Sequence, residues 1–173
     1  MAISLYDCSV ASFLQVLGAV QSFLDKGLAH CREAGLDPET IVDTRLHDDM
    51  LPFRFQIVSV AHHSRGALEG AKAGLFLPPG GVGELDYAGL QGLVAEARGA
   101  LQGLSRDEVN ALEGKDMVFR LGSREMPFTV ENFLLSFSTP NLHFHATTAY
   151  DILRQSGVPL GKRDYMGQMR LKL

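Results

Sequence analysis

The sequence predicts an all-α protein, a bundle of four long helices with a small β-hairpin before the last helix. Three observations support this prediction. Apolar residues recur at alternating spacings of three and four over four segments, at about 4–33, 50–73, 86–104 and 129–157. Breaks rich in proline and glycine fall between these segments. A stretch around Gly122-Ser123 instead resembles two strands joined by a two-residue loop. At 173 residues, a single domain over 1–173 is expected.

The first helix is predicted from Ser4 or Ser9 to Glu33, where a glycine two residues further on ends it. A short helix to about residue 44 should follow, with Pro38 at its first helical position. The inward stripe of the first helix consists of Val10, Phe13, Leu17, Val20, Leu24, Leu28 and Cys31.

The second helix is predicted over 50–73, with Asp48 or Asp49 as its cap and Pro52 tolerated in its first turn. Its first half is apolar on nearly all sides, so it should lie centrally in the bundle. Its main stripe consists of Phe53, Ile57, Ala61, Ser64, Leu68 and Ala71.

A crossover connection is predicted over 77–83, because LPPGGVG lacks the lysine and the serine or threonine of a phosphate-binding loop. The third helix should span 86–104. A capping box of Ser105 and Glu108 then opens a short helix to about residue 113. Four glycines weaken the third helix but allow another helix to approach it closely, namely Gly89, Gly92, Gly99 and Gly103.

The hairpin is predicted over 117–121 and 124–128, because its Gly122-Ser123 loop suits a type II′ turn. The last long helix should run from Thr129 to Gly157, with a kink at Pro140. The C-terminal tail after it is expected to be loop-like.

Charge and composition argue against several functional classes. The net charge of −4 and the pI near 5.8 argue against general nucleic-acid binding, which needs a basic face. The N-terminus has no basic residue before its apolar stretch, so no secretory signal is expected. No apolar run approaches the roughly 18 residues that suggest a membrane span. Cys8 and Cys31 lie too far apart along one predicted helix to form a disulfide. These features predict a cytoplasmic protein with reduced thiols and no membrane partner.

The candidate site lies on the inward stripe of the last helix, because the middle of that stripe is polar. Asn141 and His145 are one turn apart, so their side chains lean toward the same place. Polar groups on an inward stripe must be paired or must serve a site. The stripe as a whole consists of Leu134, Phe137, Asn141, His145, Thr148 and Ile152.

Other histidines could complete this site. His62 and His63 lie at the middle of the second helix and diverge by about 100°, so at most one reaches a common centre. The residues do not decide which of the two it is. His143 points about 200° away from His145, so those two cannot both face inward. Three neutral ligands with an open position would make a Lewis-acid or water-activating site.

Several familiar catalytic motifs are absent from the sequence. It contains no Glu-x-x-His pair, so a di-iron carboxylate centre is not expected. It also lacks His-Glu-x-x-His, Cys-x-x-Cys and the Gly-x-Ser-x-Gly elbow of serine hydrolases.

Four segments together resemble an uncharacterised domain-of-unknown-function family within the DinB/YfiT-like superfamily of candidate metalloenzymes. The segments are SLYDCSVASFLQVL, RLHDDMLPFRFQ, FTVENFLLSF and PNLHFHATTAYDILRQSGVPLGKRDYMG. The resemblance implies a DinB-like four-helix bundle in up-down-down-up order that often forms a homodimer. It also implies three histidines around a divalent metal, zinc or nickel. One of these histidines lies on the second helix and two lie on the last long helix at His-x-x-x-His spacing.

Carried over to this chain, the resemblance gives an incomplete set of ligands. His145 matches the second histidine of the pair, whereas the first falls on Asn141, a poorer ligand than imidazole. The ligand on the second helix would be His62 or His63. Tyr150 and His143 are candidate contacts to a small ligand.

Two hypotheses of different class follow. The residues favour a non-catalytic or degenerate member that dimerises and binds a small ligand between its helices. The superfamily also implies a metal-dependent enzyme of the thiol-transferase or hydrolase type. A third hypothesis is a regulatory partner protein, which no residue of the sequence supports directly.

Overall fold

The computed structural model describes residues 3–80 and 83–172, so Gly81 and Val82 of the predicted crossover lie outside the described residues. The fold is mostly helical with one small sheet. The helices are α1 (Leu5–Cys8), α2 (Val10–Ala34), α3 (Glu39–Val42), α4 (Phe53–Ala61), α5 (Ala67–Ala73), α6 (Tyr87–Gln102), α7 (Arg106–Asn110), α8 (Val130–Asn132), α9 (Thr139–Gln155) and α10 (Lys162–Met166). The strands are β1 (Leu75–Phe76), β2 (Asp116–Leu121) and β3 (Arg124–Thr129). Two π-helical segments, His62–Gly66 and Phe133–Ser138, join α4 to α5 and α8 to α9.

The first long helix forms because its capping residues stand at the two ends of the segment that carries its apolar stripe. Ser4 caps α1 by accepting a hydrogen bond from the Asp7 backbone N–H, and Gly35 ends α2 with a φ of 66°. The predicted stripe is buried except at Leu28, which is half-buried. The helix over Leu5–Ala34 is long and apolar enough to cross a membrane by length and composition. Half of its apolar window is buried inside the protein.

The second long helix, 53–73, begins later than the sequence predicted. Neither Asp48 nor Asp49 caps it, because Pro52 in extended conformation is the N-cap and Phe53 is the first helical residue. The backbone N–H of Phe53 instead donates to the Thr44 carbonyl at 2.8 Å. The predicted stripe is buried throughout.

The sheet has one more strand than the predicted hairpin. β2 and β3 pair antiparallel as predicted, and Gly122 in their loop has a φ of 59°. β1 adds to β2 in parallel, with Leu75 opposite Val118 and Phe76 opposite Phe119. Two residues are too few to give a recognisable strand pattern in the sequence.

The last long helix, 130–155, is irregular just before Pro140, where the sequence predicted a kink. Proline has no N–H to donate and crowds the preceding turn. The turn before it is π-helical, and the Thr139 hydroxyl donates to the Leu134 carbonyl at 2.7 Å. The C-terminal tail was predicted to be loop-like. The structure differs, because α10 forms within the tail and packs on α2. Gln15 Nε2 on α2 donates to the Met166 carbonyl at 2.9 Å, and this bond holds the end of α10 against α2.

The four long helices pack in pairs that position the candidate site. The first helix packs on α6 and α9, and α4 packs on α9 and α6. The contact between α4 and α9 brings together the two helices that carry the candidate histidines.

Candidate functional site

The structure brings His63 and His145 together between the 53–73 helix and the 130–155 helix. Their rings are nearly parallel, with 11° between the ring planes and 5.8 Å between the centroids. His63 is 7% exposed, and His145 is half-buried. These two residues are called the histidine pair below.

His62 is turned away from the pair. Its Nε2 donates to the Leu77 carbonyl at 2.9 Å, and its ring packs on Phe76 with 4.4 Å between centroids. Gly66 makes room for this ring, because a Cβ at that position would lie 3.0 Å from His62 Nδ1. Of the two histidines that the sequence left open, His63 is therefore the one that faces His145.

Gln56 fixes the tautomer of His145. The Gln56 side chain donates through Nε2 to the Leu51 carbonyl at 2.7 Å, so its Oε1 is free to accept. This oxygen lies 2.8 Å from His145 Nδ1, so Nδ1 carries the proton. In a neutral ring the Nε2 atom then has a free lone pair. Sequence reasoning missed Gln56, although a buried amide seven residues before His63 shares its helix face.

Both π-helical segments lie at this site. His63 belongs to one, and the buried Ser138 at the end of the other lies 3.5 Å away, between His63 Nδ1 and Ser138 Oγ. Such segments are frequent at functional sites, because the extra residue in the turn re-aims the side chains. Periodic patterns could not reveal them.

Asn141 makes a hydrogen bond within its own helix. Its Nδ2 donates to the Phe137 carbonyl at 2.7 Å, one turn back along the same helix. The position that the resemblance assigns to a third histidine is therefore held by an amide that bonds its own backbone.

His143 and Tyr150 lie at a different place, beneath α10. His143 Nδ1 is 3.1 Å from the Tyr165 hydroxyl, and the Tyr150 ring meets the rings of Phe23 and Tyr165 edge-on. As the helical geometry predicted, His143 faces away from His145.

Aromatic rings enclose the histidine pair. His63 meets Phe76 and Phe137, each at 5.6 Å between centroids, while His145 meets Phe55 at 5.8 Å and Phe144 at 5.2 Å. Burial, with smaller contributions from the nearby His62 and His145 rings, lowers the pKa of His63 to about 3. Burial lowers the pKa of His145 to about 4. Both rings are therefore neutral at pH 7.

The pair itself offers two imidazole donors. Neutral imidazoles suit zinc and nickel, and a site of this kind needs a third protein ligand. Among residues 3–80 and 83–172, no group of three or more His, Cys, Asp or Glu side chains is arranged to hold a metal ion. Asn141 donates to Phe137 through Nδ2, so the donor that it offers to a metal is Oδ1, a poorer ligand than imidazole.

A comparison with known protein families accounts for this fold. Residues 5–166 match the model of a domain of unknown function, DUF1993, which covers nearly the whole chain. The chain belongs to the DUF1993 family. The fold of this DUF1993 chain is similar to a DinB family member protein from Shewanella denitrificans, solved by crystallography at 1.83 Å resolution. The two share 27% identity with a TM-score of 0.80, over 98% of this chain and 95% of the other. None of the curated protein sequences matches the chain.

These findings confirm the resemblance on which the sequence analysis relied, a domain-of-unknown-function family within the DinB-like superfamily. In this DUF1993 chain, the histidine pair occurs where the resemblance expects ligands from the second and last long helices. The roles of His145, His63, His62 and Asn141 toward a metal stay predictions.

Proposed function

We propose that the protein is a non-catalytic, degenerate DinB-like member, a cytoplasmic four-helix bundle in up-down-down-up order that forms a homodimer and binds a small ligand. The single observation behind the proposed loss of catalysis is that Asn141, whose Nδ2 donates to the Phe137 carbonyl, stands where the superfamily has its third histidine. The atom that this side chain offers to a metal is an amide oxygen, a poorer ligand than imidazole.

Hydrogen bonds link two polar side chains of the site, which supports a structural role. His145 Nδ1 donates to Gln56 Oε1, and Gln56 Nε2 donates to the Leu51 carbonyl, so both side chains have a partner inside the protein. A satisfied polar network inside a core fixes the relative position of the helices that carry it. Here it ties α9 to the start of α4.

Exposed apolar side chains near the histidine pair support dimerisation. Phe144 is 58% exposed and Leu51 is 48% exposed, and both flank His145 or its partner Gln56. We propose that these side chains belong to an interface, because contiguous exposed apolar surface marks sites of protein interaction. A second copy of this chain is the partner that the superfamily resemblance favours.

One observation favours the alternative, a metal-dependent enzyme of the thiol-transferase or hydrolase type. Metal-binding histidines usually donate their second ring N–H to an oxygen acceptor, which leaves the other nitrogen as the ligand. His145 has this arrangement, with Nδ1 donating to Gln56 Oε1 at 2.8 Å. A metal bound there would supply Lewis acidity, and His145 and His63 are the side chains that would hold it.

Native mass spectrometry with elemental analysis of the untagged protein tests both proposals. The protein is expressed with and without added zinc or nickel and purified without chelator. We expect the mass of a dimer and less than about a tenth of an equivalent of metal per chain. A monomer at all concentrations would overturn the homodimer. Close to one equivalent of metal that is lost in His145→Ala but kept in His47→Ala would favour the enzyme.

A further inference from the structure

A second concave region lies away from the histidine pair, between α2, α6 and the C-terminal segment after α10. Its volume is about 660 Å³, compared with about 150 Å³ and 310 Å³ for the two cavities beside His62. This size is within the range of small-molecule sites. The residues that line it and matter here are Ala11, Leu14, Gly18, Arg98, Met169 and Arg170, which together are called the α2–α6 groove.

Arg98 is the unusual residue of this groove. It is half-buried, and among residues 3–80 and 83–172 its buried Nε atom has no hydrogen-bond partner. Within the same residues, its Nη1 has one acceptor, the neutral Gln21 Oε1, at 3.3 Å. A buried N–H without an acceptor is costly, so an acceptor from outside the chain would stabilise Arg98.

Other half-buried arginines are paired with acids. Arg54 meets Asp43 at 3.2 Å, and Arg65 meets Glu69 at 3.4 Å. Within the described part of the chain, neither Arg98 nor Arg170 takes part in an ion pair. No acidic side chain is among the described residues that line the groove. The groove therefore offers positive charge that is not neutralised by an ion pair with any described residue.

Apart from Gln15, Gln168 and Arg170, the residues that line the rest of the groove are apolar. Ala11 and Leu14 lie on the same helix as Gly18, and Met169 and Leu171 face them from the C-terminal segment. Gly18 leaves the floor open, because a Cβ there would meet only Arg98 Nε, at 3.9 Å. A guanidinium at an apolar groove suits a molecule with one anionic head group and one apolar tail.

We infer that the α2–α6 groove binds an amphipathic anion, an apolar chain that ends in a carboxylate or a phosphate, with its head group on Arg98. This inference rests on the proposed ligand-binding function and names the ligand's chemical class. The two head groups share the planar or forked acceptor geometry that arginine recognises.

Titration of the full-length protein with decanoate, decyl phosphate and 1-decanol tests this inference, followed through the backbone amide resonances of Gly18 and Arg98. We expect at least one of the two anions to shift both resonances, and decanol to bind at least about tenfold more weakly. The anion that binds better identifies the head group. Added salt should weaken the binding, because charge contributes to it.

Variants distinguish binding at a specific site from non-specific binding to the protein surface. Arg98→Gln should weaken anion binding at least about tenfold, whereas Arg124→Gln, which removes the same charge from the exposed hairpin, should leave it unchanged. Gly18→Leu should block binding by filling the groove while melting no lower than wild type, because leucine favours helix more than glycine does.

Three titration results would overturn the inference. These are equal affinity for decanol, unchanged binding in Arg98→Gln, or no shift at Gly18 and Arg98 with either anion, in which case Arg98 Nε holds a water molecule only. A neutral molecule found bound to the purified protein would also overturn the ligand class. The proposed ligand-binding function would survive that result, so the two failures can be told apart.

Discussion

Replacing His145 by alanine is expected to lower the melting temperature by roughly 5–10 °C, which corresponds to about 2–3 kcal/mol for a chain of this size. The substitution removes a ring that packs on Phe55, Phe144 and His63. It also leaves Gln56 Oε1 without its donor inside the protein. Thermal unfolding followed by circular dichroism measures the change.

Two comparisons make this result specific. His47→Ala removes an exposed histidine, 72% of whose side chain is accessible, and should change the melting temperature by little. Placing His145→Ala in a Gln56→Leu background should cost about 1 kcal/mol less than in wild type, because no amide oxygen is then left unpaired. If His145→Ala melted like His47→Ala, a structural role for the pair would be wrong.

Replacing Gly27 by alanine is expected to destabilise the protein by roughly 1–3 kcal/mol, although alanine favours helix more than glycine does. Gly27 is buried in α2, where a Cβ would overlap Tyr87 Oη and lie 3.1 Å from Leu153 Cδ2. Tyr87 is fully buried, and its hydroxyl donates to the Leu24 carbonyl at 2.9 Å, so it cannot easily move. Chemical denaturation gives the free energy of unfolding for each variant.

The Tyr87 hydroxyl is the atom that Gly27→Ala is predicted to strain. In a Tyr87→Phe background that atom is absent, so Gly27→Ala should cost less there by about 1 kcal/mol or more. Gly99→Ala is the matched control, because nothing lies within 4 Å of a Cβ at that exposed position in α6. It should stabilise the protein by up to about 1 kcal/mol. Equal losses for Gly27→Ala with and without the Tyr87 hydroxyl would contradict the packing described.

Apolar periodicity predicted the helical segments well, because burial of a stripe is what holds each helix in place. The stripe from Phe53 to Ala71 is buried at every predicted position. The first and last residues of the helices were predicted less well, because they depend on local backbone conformation. The sequence offered two aspartates before the second helix, but the extended conformation of Pro52 sets its start.

Close approach between helices could not be located from composition. The glycines of the third helix suggested it, yet Gly92 and Gly99 have no atom within 4 Å of a Cβ position. The close contact occurs at Gly27, on the opposite helix, because the Tyr87 side chain needs that space. Such a contact depends on the tertiary pairing of two helices and leaves no pattern within either one.

The candidate site was predictable in part. Helical spacing placed His145 on the inward face and turned His143 away, as the structure has them. It could not choose between His62 and His63, because the π-helical segment changes the direction of both side chains. Gln56 was missed because its role depends on a carbonyl and a ring that lie elsewhere in the chain.

We expect His63 and His145 to be neutral rings that pack on each other inside the protein, with His145 Nδ1 donating to Gln56 Oε1, and the structural role of the pair depends on this arrangement. Nitrogen-15 NMR of the imidazole rings over a pH titration tests it most directly, with assignments from single histidine variants. At pH 7, His145 should show a protonated Nδ1 and an unprotonated Nε2, and its pKa should lie at about 4, with that of His63 at about 3. A His145 ring that titrates near 6.5, as an imidazole in water does, or that carries its proton on Nε2, would contradict the account.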